Sequence, residues 1–269
     1  MIITSTSNPR MKEIIQLRKK SRMRTKTGTF LVEGLRMVRE IPEERLVQLY
    51  ATEEFLKKHR KEPIPGTEVM LVSPEVFAYI SDTKTPQGVL AVVRQSMFTK
   101  EEILAKCSRK SGTGMDRPAH LLVLDNIQDP GNLGTIFRTA EAAGVTGILL
   151  SRDCADIYNP KTIRSTMGAI FRMPFVYTDD LPGAVNSLKK HDICVFAAHL
   201  EGERAYDEED YRQGSAFLIG NEGNGLRQEV AACADVLVRI PMEGMAESLN
   251  AAVAAAVLMF EVSRQRKRY

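Results

Sequence analysis

The sequence predicts an α/β protein in two blocks: a small α/β sandwich, then a mostly parallel sheet covered by helices on both faces. Three observations predict it. Short apolar runs bounded by turn residues alternate with helical stretches along the chain, and strands that alternate with helices pair in parallel. In the second half a run such as HLLVLDN (120–126) is continuously apolar, as a strand buried on both faces requires. Between the halves CSRKSGTGMDRP (107–118) is rich in Ser, Gly and basic residues and reads as a linker or surface loop. The domains are accordingly residues 1–97 and 119–269, joined by a linker over 98–118; at 269 residues the chain is long enough for two.

In the first block the pattern predicts a basic helix near 8–22, a strand at TFLVEG (29–34) and a helix near 35–41. Strand VQLYA (47–51), helix 52–60, strand EVMLVS (68–73), a short helix near 74–80 and strand GVLAVV (88–93) follow. The second block opens with HLLVLDN. Helix 133–143, strand GILLS (147–151), a helix near 160–168 and strands ICVFAAH (193–199), SAFLIGNEG (215–223) and VLVRIP (236–241) come next, before a closing helix over 248–267.

Composition bounds the partners. The absence of Trp and the few aromatics argue against extensive base-stacking platforms. A net charge of +3 decides nothing, but its distribution does. Residues 1–26 carry eight Lys/Arg against one acid, Glu13, so the basic helix is either a solvated face or an RNA contact. Cys107, Cys154, Cys194 and Cys233 are widely spaced with no C-x-x-C pair, which argues against zinc and disulfides and suits a reducing cytosol. With a polar N-terminal stretch and no long apolar run, a soluble, intracellular protein without a metal is expected.

Three segments of the second block carry polar chemistry at strand ends. In DNIQDPGNLGTIFRTAEAAG (125–144) a strand meets an Asp-Pro-Gly-Asn turn and a helix. Leu133, Ile136, Phe137, Ala140 and Ala143 form its buried stripe, and Arg138 lies almost opposite. That arginine is either solvated or, under a partner or RNA, a phosphate ligand or catalytic group. In FLIGNEGNGL (217–226) a buried strand breaks into a loop with Gly220, Gly223 and Gly225, which suits close backbone approach to a ligand or a simple tight turn. Glu222 is at its apex. In IPMEGMAESLNAAVAAAVLMFE (240–261) a loop enters an alanine-rich helix through Ser248-Leu249-Asn250. Ser248 reads as its N-cap or as part of a ligand site.

Together these segments resemble the three motifs of the SPOUT-class RNA ribose methyltransferases, in the SpoU or TrmH branch. The resemblance spans about 119–265. Asn132 and Arg138 match the first motif, Glu222 the second, and Ser248 and Asn250 the third. The first block resembles the substrate-binding domain often fused to such enzymes, through SNPR (7–10), FLVEG (30–34) and TPQGVLAVV (85–93).

The resemblance implies a trefoil-knotted, homodimeric catalytic domain. Its reaction is S-adenosylmethionine-dependent methylation of a ribose 2′-OH in structured RNA, ribosomal RNA ahead of transfer RNA. It implies donor contacts at Gly220, Asn221, Gly223, Gly225, Ile240, Pro241, Met242, Ser248 and Leu249. Asn132, Arg138, Glu222, Ser248 and Asn250 become the catalytic set. Arg138 is expected to hold phosphate or help activate the hydroxyl, Asn132 to orient the arginine or ribose, and Glu222 and Ser248 to organise the loops. Alanines 251, 252, 254, 255 and 256 are expected to pack in the knot or at the dimer interface. RNA contacts are expected at Arg10, Arg18, Lys19, Lys20, Arg22 and Arg24. The rival readings are a non-catalytic RNA-binding or ribosome-assembly protein on the same fold and a base methyltransferase, for which the Asn132/Arg138 pair is not expected.

Overall fold

The structure, a computed structural model, describes residues 2–60, 68–107 and 118–267. The first segment contains β1 (Ile2–Ile3), α1 (Pro9–Lys19), α2 (Ser21–Thr27), β2 (Thr29–Glu33), α3 (Leu35–Val38) and β3 (Leu46–Ala51). It continues with α4 (Glu53–Lys58), β4 (Val69–Val72), α5 (Pro74–Ile80) and β5 (Val89–Arg94). Next come α6 (Lys100–Cys107), β6 (His120–Leu124), α7 (Pro130–Ala143), β7 (Gly147–Ser151), α8 (Pro160–Thr166), β8 (Phe175–Thr178) and α9 (Leu181–Lys189). β9 (Cys194–Ala198), β10 (Arg204–Ala205), β11 (Ser215–Ile219), α10 (Gln228–Ala231), β12 (Val236–Arg239) and α11 (Ala251–Arg266) complete the chain. Two compact units result: residues 1–96 with 156–171, and residues 97–155 with 172–269.

The first unit holds a mixed sheet in the order β1-β4-β3-β5-β2. Asn8 and Pro9 start α1, with the Asn8 side chain accepting from Arg10 N–H at 2.9 Å, and Met11, Ile14, Ile15 and Leu17 form its buried stripe. The single basic helix expected over 8–22 is in fact two, broken at an extended Lys20 (φ −122°, ψ 115°). The break turns Arg24 inward, where it is 4% exposed. Its guanidinium turns back to the Leu17 and Arg18 carbonyls (2.6 and 3.2 Å) and pairs with Asp156 at 2.9 Å. Arg24 is therefore a buried staple and not the RNA contact expected of it. Asp156 reaches it from the segment 156–171, which belongs to this unit although the sequence division assigns it to 119–269.

Among the described residues the second unit holds seven parallel strands in the order β10-β12-β9-β11-β6-β7-β8. One face packs Leu121, Val123, Ala216 and Leu218 against Ile103 and Leu104 of α6 and Leu181, Val185 and Leu188 of α9. On the other, α11 packs against α7 and β11. Ala251, Ala252 and Ala255 of α11 are buried, and Ala254 and Ala256 half-buried. The linker expected over 98–118 needs correction: Ile103 and Leu104 fold residues 100–107 into a core helix, and residues 108–117 lie outside the described residues. β8 and α9 were not anticipated. α9 carries a legible signal, Asp180 accepting from Gly183 N–H at 2.8 Å followed by a stripe of Leu181, Ala184, Val185 and Leu188.

The start of β6 carries a buried polar cluster. Arg266 donates to the carbonyls of Pro118 (2.8 Å), Ala119 (2.9 Å) and Tyr211 (2.9 Å). His120 beside it is 2% exposed, and its Nε2 has no partner among the described residues. Burial first, and the Arg266 charge second, push the His120 imidazole down from 6.5 to about 3. Between those values the unfolded chain binds a proton that the folded chain refuses. Stability is thus full above pH 6.5 and falls as the pH drops toward 3, by up to about 1.4 kcal/mol per unit. Denaturant melts near neutral pH and one to two units below it should register this loss, and His120→Leu should flatten the slope. Equal slopes in the two proteins would exclude His120 as its source.

Candidate active site

Because all seven strands are parallel, their carboxyl ends share one edge, where open sheets of this kind form ligand clefts. Asp125 leaves β6 fully buried. Its N–H donates to Ile219 O at 2.9 Å, and its carboxylate accepts from Arg227 N–H (2.9 Å) and Nε (2.8 Å). This pair ties the loop after β11 to the end of β6. Asn126 follows in the left-handed region (φ 55°) and its carbonyl accepts from Asn221 Nδ2 at 2.8 Å, a conformation asparagine tolerates.

The loop after β11 folds back on itself. A Cβ on Gly220 would stand 2.2 Å from Gly225 C and Leu226 N, so no side chain fits; Gly225 has φ 68°. Asn221 and Gly225 exchange backbone hydrogen bonds at 2.9 and 3.0 Å. Asn221 Oδ1 accepts from Gly223 and Asn224 N–H at 2.9 and 3.0 Å. The polar groups of Asn221 are thus engaged by the protein, and this residue shapes the loop.

At the apex, the Glu222 carboxylate reaches the entry of α7. It accepts from the N–H groups of Gln128 and Asp129, both at 3.2 Å, and from Asn132 Nδ2 at 3.0 Å. Partial burial works to raise its pKa. Hydrogen bonds from Asn132, its own N–H, Gln128 and Asp129 outweigh that and hold the carboxyl below its ordinary value. Asn250 Nδ2 donates to Asn132 Oδ1 at 3.0 Å, while Asn250 Oδ1 accepts from Ala252 and Val253 N–H at 2.9 and 3.3 Å. The direction of this chain is set at both ends: an ionised carboxylate only accepts and a backbone N–H only donates.

Ser248 is not the cap of the closing helix, which begins at Ala251 with Asn250 as its N-cap. It lines instead an open cleft of about 330 Å³ beside these loops. Of the expected contact residues, Gly220, Asn221, Gly223, Gly225, Ile240, Met242, Ser248 and Leu249 line it, and the exposed Pro241 does not. Ala198, His199 and Leu200, at the end of β9, complete the wall. They carry no glycine or turn signature and come here only because β9 lies between β11 and β12. Asp125 and Arg227 were also missed, though a charged residue closing the apolar run LLVLD was a signal. Asn132, Glu222 and Asn250 meet, whereas Arg138 stands apart on the exposed side of α7, outside the cleft lining and with no hydrogen bond or ion pair among the described residues. Among the described residues no group of three His, Cys, Asp or Glu could hold a metal.

A parallel α/β unit with a glycine-loop cleft at its carboxyl edge, in a chain whose other unit holds a mixed sheet, defines a ligand-binding architecture. Residues 119–260 match the SpoU rRNA Methylase family and residues 8–91 the MRM3-like substrate binding domain. The chain belongs to the SpoU family and is an RNA 2′-O-ribose methyltransferase. It is 36% identical over 265 residues to the 23S rRNA (guanosine(2553)-2′-O)-methyltransferase RlmP of Bacillus subtilis (strain 168), covering 97% of this chain and 98% of that one. Among solved structures it is similar to an AdoMet-bound rRNA methyltransferase from Sinorhizobium meliloti (TM-score 0.80, 30% identity, 98% and 97% of the two chains). A crystal structure of an RNA 2′-O ribose methyltransferase matches with a TM-score of 0.80 and 32% identity over 99% and 100%.

Asn132→Asp should set a second carboxylate against Glu222 and lower methyl transfer more than Asn132→Ala does. Adding Glu222→Gln should restore part of the loss, because the glutamine amide donates where Asp accepts. Absence of any recovery in the transfer assay would mean that this contact carries no coupling.

Proposed function

We propose that this methyltransferase modifies a ribose of ribosomal RNA in the cytoplasm, working as a homodimer with the knotted catalytic domain of its family. The observation that carries the reading is the Glu222–Asn132–Asn250 chain, which joins three loops beside one cleft. Near-complete overlap with the 23S rRNA enzyme of Bacillus subtilis supports ribosomal RNA, as does the match to a substrate binding domain. Among the described residues no helix is long and apolar enough to cross a membrane.

S-adenosylmethionine is the cofactor. The cleft suits it in size and lining: Leu200, Ile240 and Leu249 offer apolar walls for a nucleoside, and the 220–225 loop offers polar groups for a charged end. Bound there, it would supply an electrophilic methyl group: the sulfur–methyl bond would break as the ribose oxygen–carbon bond forms, the sulfonium would leave as a neutral thioether, and the hydroxyl proton would pass to solvent.

The residues of the chain contribute positioning. Glu222 holds Asn132, Asn132 presents its face of α7 to the ribose, and Asn250 fixes the start of α11. Arg138 holds the phosphate next to the target ribose, since a guanidinium matches phosphate oxygens in a fork. Val253 and Phe260, each 48% exposed, form with half-buried Val257 an apolar strip along α11 that a second copy covers. Exposed Arg10, Lys19, Lys20 and Arg22 track RNA phosphates, while Arg18 is partly spent on the Tyr79 carbonyl at 3.2 Å.

Tritiated S-adenosylmethionine offered with total RNA should label 23S rRNA at a 2′-O-methyl site; label in transfer RNA, on a base or nowhere overturns the assignment. Arg138→Ala should reduce transfer by about a hundredfold or more with donor affinity kept. Loss of donor binding would remove Arg138 from its phosphate role.

Charge reversal at Lys19, Lys20 and Arg22 should weaken RNA binding and lower its salt slope by about one per lost phosphate contact. Unchanged affinity would return α1 and α2 to a solvated face.

A further inference from the structure

Two segments of the first unit, FLVEG and TPQG, lie together: a Cβ on Gly34 would stand 3.3 Å from Gln87 Oε1. The Glu33 carboxylate accepts from Ser81 Oγ (2.5 Å), Thr83 Oγ1 (2.9 Å) and Asp82 N–H (3.1 Å), pinning the loop that leads to TPQG. Gly88 (φ 87°) presses that loop onto α4: a Cβ there would stand 2.6 Å from Thr52 Oγ1. Gln87 Oε1 accepts from Leu35 N–H at 3.0 Å. This orients the amide and leaves Nε2 without a hydrogen bond among the described residues.

The loop walls a hollow of about 620 Å³, within the size range of ligand sites. Phe55 and Phe77, 3% and 2% exposed, contribute its apolar part. The His59 ring lies 4.6 Å from Phe55. Gln87, Glu54 and Lys58 add an uncommitted amide donor, an acceptor and a cation, with no ion pair for Glu54 or Lys58 among the described residues. A bare anion is disfavoured by Glu54. The half-buried His59 ring against Phe55, with an amide donor, an acceptor and a cation lining the same hollow, matches a nucleotide.

We propose that this hollow takes one unpaired nucleotide of the substrate RNA, its base against the Phe55–His59 side, its edge on Gln87 and Glu54, and its phosphate at Lys58. The inference rests on the RNA-methylating reading and adds a second, structured contact beyond the basic helix.

The test uses the full chain and an unmodified 23S rRNA transcript. Gln87→Glu keeps the acceptor for Leu35 N–H but removes the two donors, so it separates recognition from folding. It should weaken RNA binding about tenfold and raise KM with kcat and S-adenosylmethionine affinity retained. Lys58→Ala should also weaken binding and lower the salt slope by about one. Wild-type RNA affinity in both variants, alongside wild-type methylation, overturns the pocket and leaves the enzyme assignment standing. A wild-type chain that neither binds nor methylates the RNA overturns the underlying reading as well.

Discussion

The Glu222 carboxylate is where loops separated by ninety or more residues along the chain come together. It sits just ahead of α7, where the N–H groups of Gln128 and Asp129 and the positive end of the helix attract an anion. Each hydrogen bond alone is worth only about 1 kcal/mol, but bonds to a charged acceptor are stronger, and here several donors converge on one carboxylate. Once Glu222 is held, Asn132 has a single useful amide orientation. Asn250 must then donate to it, and α11 must begin at Ala251.

Behind this chain lie two constraints of shape. Gly220 admits no side chain because the loop returns onto it, and the buried Asp125 requires the Arg227 guanidinium as partner. A carboxylate with no exposure and no cation would be costly; Arg227, arriving just past the loop, answers that need and closes the loop. On the other side of the site, the small side chains of Ala251, Ala252 and Ala255 let α11 pack closely on α7. The expected alanine face thus serves the interior of one chain, and the strip left outside it is Val253, Val257 and Phe260.

The first unit shows how a charged residue can mislead. Arg24 belongs by sequence to a run of eight basic residues, yet its position after the break at Lys20 turns it inward to the carbonyl ends of α1 and to Asp156. The Tyr158 ring from the same inserted segment lies tilted against Phe30, centroids 4.7 Å apart, and its hydroxyl accepts from Ser96 N–H at 2.8 Å. Residues 156–171 are as much a part of this unit as its own sheet, and the chain passes between units at three points instead of one.

Most strands were legible because an apolar run between turn residues is a local signal, and the motif residues were legible through the family resemblance that their segments carry. β8 escaped because its four residues follow no clear alternation, and α9 because its cap and stripe lay in a segment without a strand pattern. By itself, the sequence determined the α/β class and the parallel character of the second block, and through the family resemblance it pointed to Asn132, Glu222, Asn250 and Arg138 as residues of interest. Tertiary structure decided that the first three form one hydrogen-bonded chain while Arg138 faces outward, that Asn250 and not Ser248 caps α11, and that His199 and Leu200 wall the cleft. The physical reason is common to all three. Hydrogen-bond partners, caps and cleft walls are set by which strand ends become neighbours, and neighbourhood across a sheet is a property of strand order that spacing along the chain does not carry.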